Sequence, residues 1–135
     1  MIFSETKVRV RYADTDQMKI VYYGKYFEYF EQGRSDFLRQ IGVPYSEMEQ
    51  RGYLLPVIEA HAEYRKSAVF DDELTVKTMV SEVPLARIRI TYEVFRHDGK
   101  LLVEGYTIHS FLNAEKRAPT RAPAFLTSIL EARLK

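Results

Sequence analysis

Residues 10–34, VRYADTDQMKIVYYGKYFEYFEQGR, change their period part-way along. Val8, Val10 and Tyr12 alternate with Arg9 and Arg11, the pattern of a half-buried strand over residues 7–13. From about Val21 the spacing lengthens. Tyr26, Phe30, Gly33, Phe37 and Ile41 recur every three or four residues, flanked by Phe27 and Leu38. That is the apolar stripe of a helix of roughly 20 residues. Gly33 on the stripe implies close approach to a facing sheet. Two aspartates, Asp14 and Asp16, stand where one pattern gives way to the other. An aspartate ahead of a helix is ordinarily a cap or a turn residue. That reading suits Asp14, whereas Asp16 is separated from the periodic stretch and makes a poor direct cap.

Outward from this junction, Gly42 and Pro44 end the long helix, because glycine suits a left-handed cap and proline cannot continue a helix. Residues 44–51 read as a short second helix stopped by Gly52. Strands are expected over 54–64, 73–83, 87–95 and 101–112, with Asp98-Gly99 as a hairpin turn. The last of these is apolar on both faces and should be central in its sheet. Pro119 to Pro123 should be extended, and residues 124–134 can form a terminal helix. One long helix with about four following strands makes an α+β chain whose antiparallel sheet wraps the helix. Residues 1–135 are read as a single domain. Val57, Met79, Val83 and Phe95 fall on the outer face of that sheet, which implies cover by a partner subunit.

Twenty Lys and Arg against 19 Asp and Glu give a net charge of +1, so binding of nucleic acid by bulk charge is disfavoured. The chain has no cysteine, which removes disulfides, thiol catalysis and thiolate metal sites. Its three histidines, His61, His97 and His109, are dispersed and suggest no metal site. No stretch approaches a membrane span, and the N-terminal residues lack a signal peptide's apolar core, so a cytoplasmic protein is expected.

The stretch Tyr12-Ala13-Asp14-Thr15-Asp16 followed by Val21-Tyr22-Tyr23-Gly24-Lys25-Tyr26 resembles the signature of the 4-hydroxybenzoyl-CoA thioesterase family. These are hotdog-fold acyl-CoA thioesterases, and they include the bacterial branch associated with the Tol-Pal system. The resemblance continues through Leu55-Pro56-Val57-Ile58-Glu59, Phe70-Asp71-Asp72-Glu73-Leu74 and Thr120-Arg121-Ala122-Pro123. It implies a hotdog fold and hydrolysis of an acyl thioester to a free acid and CoA, without a cofactor. It also implies a homodimer or homotetramer with its site built between subunits. By the same resemblance Asp16 is the reactive carboxylate and the backbone amide of Tyr23 the oxyanion donor.

The chemistry agrees with those residue types. A carboxylate can attack the thioester carbonyl or take a proton from water. The start of a helix offers unpaired N–H groups and partial positive charge to a developing oxyanion. Gly24 has no side chain to obstruct an acyl group. Arg87 and Arg89 share one strand face and, with Arg121, are candidates for the phosphates of CoA. Two other readings stand beside this one. The first is a hotdog domain that binds acyl-CoA or acyl carrier protein without catalysis. The second is a hotdog dehydratase of 3-hydroxyacyl thioesters using Glu59 and His61, which share a strand face.

Overall fold

A computed structural model describes residues 1–134. Strand β1 (Ile2–Arg9) leads through a single 3-10 turn (Tyr12–Asp14) to the long helix α1 (Lys25–Gln40) and a short α2 (Tyr45–Gln50). Then come β2 (Tyr53–Leu54), β3 (Val57–Tyr64), β4 (Glu73–Val80), β5 (Arg87–Arg96) and β6 (Leu101–Ser110). The short β7 (Leu112–Asn113) and β8 (Ala118–Pro119) precede the last helix, α3 (Ala124–Leu134). The main sheet is antiparallel in the order β1-β4-β5-β6-β3, so β6 is interior as its two-sided apolar pattern requires. A small second sheet has the order β2-β7-β8.

The helix lies in the concavity of the sheet, as the stripe demanded. Tyr26, Phe30, Gly33, Phe37 and Ile41 are all buried. Phe30 stacks flat on Tyr92 of β5, ring centroids 4.3 Å apart. Gly33 permits the contact with β4: a Cβ there would lie 2.5 Å from Thr78 Oγ1 and 2.9 Å from Val76 Cγ1. This is the hotdog arrangement.

Several boundaries differ from the sequence reading, each for a local reason. Helix α1 has 16 residues and begins at Lys25. Before it, Val21 N–H bonds to the Ala68 carbonyl and Tyr22 N–H to that of Asp14, which commits this backbone to bridges between segments. Strand β1 starts and stops earlier than expected, and Tyr12 falls in the 3-10 turn, 77% exposed. The expected strand over 54–64 is two strands in different sheets, parted at Pro56, which has no N–H for a ladder. Of the outer apolar residues, Met79 is buried within the chain, whereas Val57 is 46% exposed on β3. Strand β3 ends the sheet, and beyond it no strand pairs among the described residues. No described helix is long and apolar enough to cross a membrane.

Candidate active site

The two aspartates of the opening motif have different tasks. Asp14 is 2% exposed. Its carboxylate accepts hydrogen bonds from Arg11 N–H at 3.0 Å, Arg11 Nη2 at 3.2 Å and the Tyr29 hydroxyl at 2.9 Å, with Lys25 Nζ at 3.9 Å. Burial pushes this acid up, but the Arg11 amide, the Tyr29 hydroxyl and the Arg11 charge together outweigh it, leaving it below the ordinary carboxylate value. Asp14 therefore fastens the turn to the helix and has no oxygen to spare for chemistry.

Asp16 is half-buried in the turn that follows. Its N–H donates to the Ile20 carbonyl at 3.0 Å, and its own carbonyl accepts from Lys19 N–H at 2.9 Å. Oδ1 accepts from Met18 N–H at 2.8 Å, so the side chain closes an Asx turn on one oxygen. The other oxygen, Oδ2, takes no hydrogen bond among the described residues. Asp16 lines a cavity of about 690 Å³ with Tyr12, Thr15, Gln17, Lys19, Val69 and Phe70.

The segment that returns from this turn leads into α1. An isolated antiparallel bridge joins Thr15 to Val21, and Tyr22 N–H donates to the Asp14 carbonyl at 2.9 Å, so the chain returns past the aspartate motif into α1. The Tyr22 carbonyl accepts from Lys25 N–H at 2.9 Å, and the Tyr23 carbonyl accepts from Tyr26 N–H at 3.3 Å and the Tyr64 hydroxyl at 3.1 Å. With these carbonyls held, the N–H groups of Tyr23 and Gly24 remain without an acceptor among the described residues. A free carboxylate oxygen and two free amides thus lie on two bridged strands of chain at the start of α1.

The chain matches the model of the Thioesterase-like superfamily over residues 10–130. It belongs to that superfamily. YneP of Bacillus subtilis (strain 168) is 30% identical over 119 residues, which cover 88% of this chain and 86% of the relative. The acyl-CoA thioesterase YbgC of Haemophilus influenzae is 35% identical over 91 residues, 67% of each chain. The crystal structure of a DHNA-CoA thioesterase from Staphylococcus aureus superposes with a TM-score of 0.90 at 32% identity, covering 98% of this chain and 89% of that one. The protein is a thioester hydrolase of the hotdog fold.

The remaining residues singled out from the sequence fall in other places on this thioesterase. Gly24 does not open a passage, because the Tyr22 ring lies over it: a Cβ there would come 2.9 Å from Tyr22 Cε2. The Gly24 N–H has no acceptor among the described residues. Arg87 and Arg89 are exposed on the outer face of β5 and line a cavity of about 680 Å³ with Met79, Val83, Leu85 and Ile108. Neither has an acidic partner among the described residues, and Arg89 lies 3.9 Å over the Tyr106 ring. Arg121 is exposed and precedes Ala122, whose N–H bonds to the Leu85 carbonyl at 2.6 Å, at the margin of that cavity. The arginine cavity and the Asp16 cavity share no lining residue within one chain.

Glu59 and His61 are not an acid–base pair. Glu59 accepts from the Tyr106 hydroxyl at 2.6 Å, while the His61 ring stacks on Tyr106 and faces Glu63 at 3.8 Å. The dehydratase reading loses its two residues to the sheet's surface network. His109 is interior, with Nδ1 on the Leu55 carbonyl at 3.0 Å and Nε2 on Thr107 at 2.8 Å. Burial pulls its ring down to about 4, so it is neutral near pH 7. Sequence reasoning gave no role to Tyr64, Phe70 or Tyr29, whose partners are 15 or more residues away in sequence.

Proposed function

We infer that the protein hydrolyses acyl-CoA thioesters through Asp16 and the amides that open α1. The carrying observation is that Asp16 is held by one carboxylate oxygen, leaving Oδ2 free beside a cavity. Oδ2 either attacks the thioester carbonyl carbon or takes a proton from the water that does. The carbonyl oxygen, gaining charge, is received by the N–H of Tyr23 with that of Gly24 beside it. Collapse of the adduct expels the thiolate, a better leaving group than an alkoxide. Where water attacked, this leaves the free acid; where Oδ2 attacked, it leaves an anhydride on Asp16 that water then hydrolyses to the free acid and the restored carboxylate.

The donor is an acyl thioester of CoA, or of the same pantetheine carried by acyl carrier protein. Arg87, Arg89 and Arg121 serve the nucleotide phosphates, supplied to a given Asp16 by a second subunit. The single domain of residues 1–135 works in the cytoplasm as a homodimer or homotetramer. The supporting feature is the free edge at β3, which carries Val57 and Ile58 at 46% and 47% exposure. An open edge with apolar side chains is unstable to pairing with another strand, and a second copy satisfies it. The test is thiol release across a panel of acyl-CoAs by wild type and Asp16→Asn. The variant should lose release while folding normally; equal rates in both proteins would remove Asp16 from the chemistry.

A further inference from the structure

Phe70 and Tyr12 are 55% and 77% exposed, yet neither is on a loosely held segment. The Val69 N–H donates to Asp72 Oδ2 at 3.0 Å, and the Asp72 N–H to the Val69 carbonyl at 3.2 Å. Val10 exchanges bonds with this loop in both directions: its N–H reaches the Asp72 carbonyl and its carbonyl accepts from Asp71, each at 2.9 Å. Arg9 Nη1 donates to the Asp71 carbonyl at 2.7 Å, and His97 Nε2 lies 3.2 Å from Asp72 Oδ1. Asp71 itself is left-handed, φ 73°, a turn conformation that aspartate adopts more readily than most residues. The Phe70 ring meets Tyr12 edge to face, centroids 5.8 Å apart. Two exposed rings thus meet each other on backbone that hydrogen bonds hold in place, an apolar surface offered to whatever covers it.

Those rings and Val69 make one wall of the Asp16 cavity; Thr15, Gln17 and Lys19 supply its polar groups. A thioester has two arms at the carbonyl carbon. The thiol arm must run out to solvent, because it carries a nucleotide or a carrier protein. A cavity walled by exposed residues suits that arm. Its chemistry agrees: pantetheine has a geminal dimethyl group for an aromatic wall and two amides for a carboxamide, a hydroxyl and an ammonium.

Building on the thioesterase reading above, we propose that Phe70 and Tyr12 are specificity-determining residues for the pantetheine arm of the thiol. The dimethyl group lies on the two rings, and the amides face Gln17, Thr15 and Lys19. Acyl choice is made elsewhere.

The test compares one acyl group on pantetheine and on N-acetylcysteamine, which keeps only the amide nearest sulfur. Wild type should favour the pantetheine thioester in kcat/KM. Phe70→Ala and Tyr12→Ala should each cut that ratio, Phe70→Ala by about tenfold, or ~1.4 kcal/mol, and Phe70→Tyr should restore it. A ratio unchanged in Phe70→Ala, or a loss that follows acyl length, overturns the assignment. In parallel, calorimetric titration with free CoA should show about tenfold weaker binding by Phe70→Ala. A wild type that releases no thiol refutes the hydrolase reading alone if Phe70→Ala still weakens CoA binding. Unchanged CoA binding in that case refutes the arm site as well.

Discussion

The Tyr29 hydroxyl donates to Asp14 Oδ2 at 2.9 Å, joining the second turn of α1 to the motif ahead of it. Both groups are buried. Burial first, and then the neighbouring carboxylate, hold the Tyr29 phenol far above its ordinary value, so it remains a donor at every working pH. Tyr29→Phe should cost about 1.5–3 kcal/mol, the range for a hydrogen bond to a charged group. Asp14→Ala should cost more, because it also strands Arg11 N–H. Urea unfolding of the three proteins checks the order.

Acid should remove that stabilisation in a defined window. Asp14 is held below its unfolded value of 3.8, so the folded state binds its proton less readily than the unfolded state does. Its contribution is present above about pH 4 and disappears as pH falls through the lower folded value. Wild type and Asp14→Asn should therefore differ in melting temperature at pH 7 and draw together as pH falls below 3.8 and through the lower folded value. A difference that persists undiminished in acid would mean that the carboxylate's charge is not what holds the turn.

His109 should govern stability over a higher range. Its ring titrates near 6.5 when unfolded and is drawn down to about 4 in the fold, chiefly by burial. Between these values the unfolded state binds more protons, so stability rises with pH and is fully present above about 6.5. Falling from pH 6.5 to 4 should cost on the order of 3 kcal/mol at this one residue. His109→Gln, which keeps polar atoms in the same place, should flatten the slope even if its stability at pH 7 is lower. Chemical denaturation at half-unit pH steps measures it.

How far the sequence told this in advance depends on what a local pattern can carry. The periods of α1 and of β4, β5 and β6 were legible because side-chain burial repeats along each element. The end of β1 was not. Tyr12 continues the alternation of Val8 and Val10, and only the bond between Arg11 and Asp14 shows that the chain has left the sheet. The break inside residues 54–64 was written in Pro56, whose missing N–H outweighs an otherwise unbroken apolar run. Asp14 as a turn residue follows from its position, but Tyr29 as its partner needs the helix phase and the tertiary fold together. Asp16 came from resemblance to a family rather than from pattern. Phe70 enters the sequence reading only as part of the resembling stretch 70–74, without a role, until the bonds between residues 9–10 and 71–72 place it beside Asp16.

The glycines inside the fold report contacts of the same kind, and they are testable. Gly105 lies under Phe30, where a Cβ would come 2.8 Å from Phe30 Cε2 and also strike the His61 carbonyl. Gly33 meets side-chain atoms of Thr78 and Val76 only. Side chains can shift more readily than paired backbone, so Gly105→Ala should be the more damaging. About 1–3 kcal/mol is expected for Gly33→Ala, and more for Gly105→Ala, by equilibrium unfolding.

The turn that Asp16 holds and the thioester chemistry proposed for it should separate by substitution. Asn keeps a carbonyl oxygen that can accept from Met18 N–H, as Oδ1 does now at 2.8 Å. Ala keeps neither function. Asp16→Asn should therefore lower kcat by about 10²–10⁴, the range for losing a general acid–base group, while leaving the melting temperature close to wild type. Asp16→Ala should be as inactive and less stable by about 0.5–1.5 kcal/mol, the net worth of one hydrogen bond. Rates by thiol release and stability by thermal unfolding must be measured on the same preparations. If Asp16→Asn is as unstable as Asp16→Ala, the charge holds the turn as well as the chemistry, and an inactive Asn variant no longer isolates the reactive oxygen.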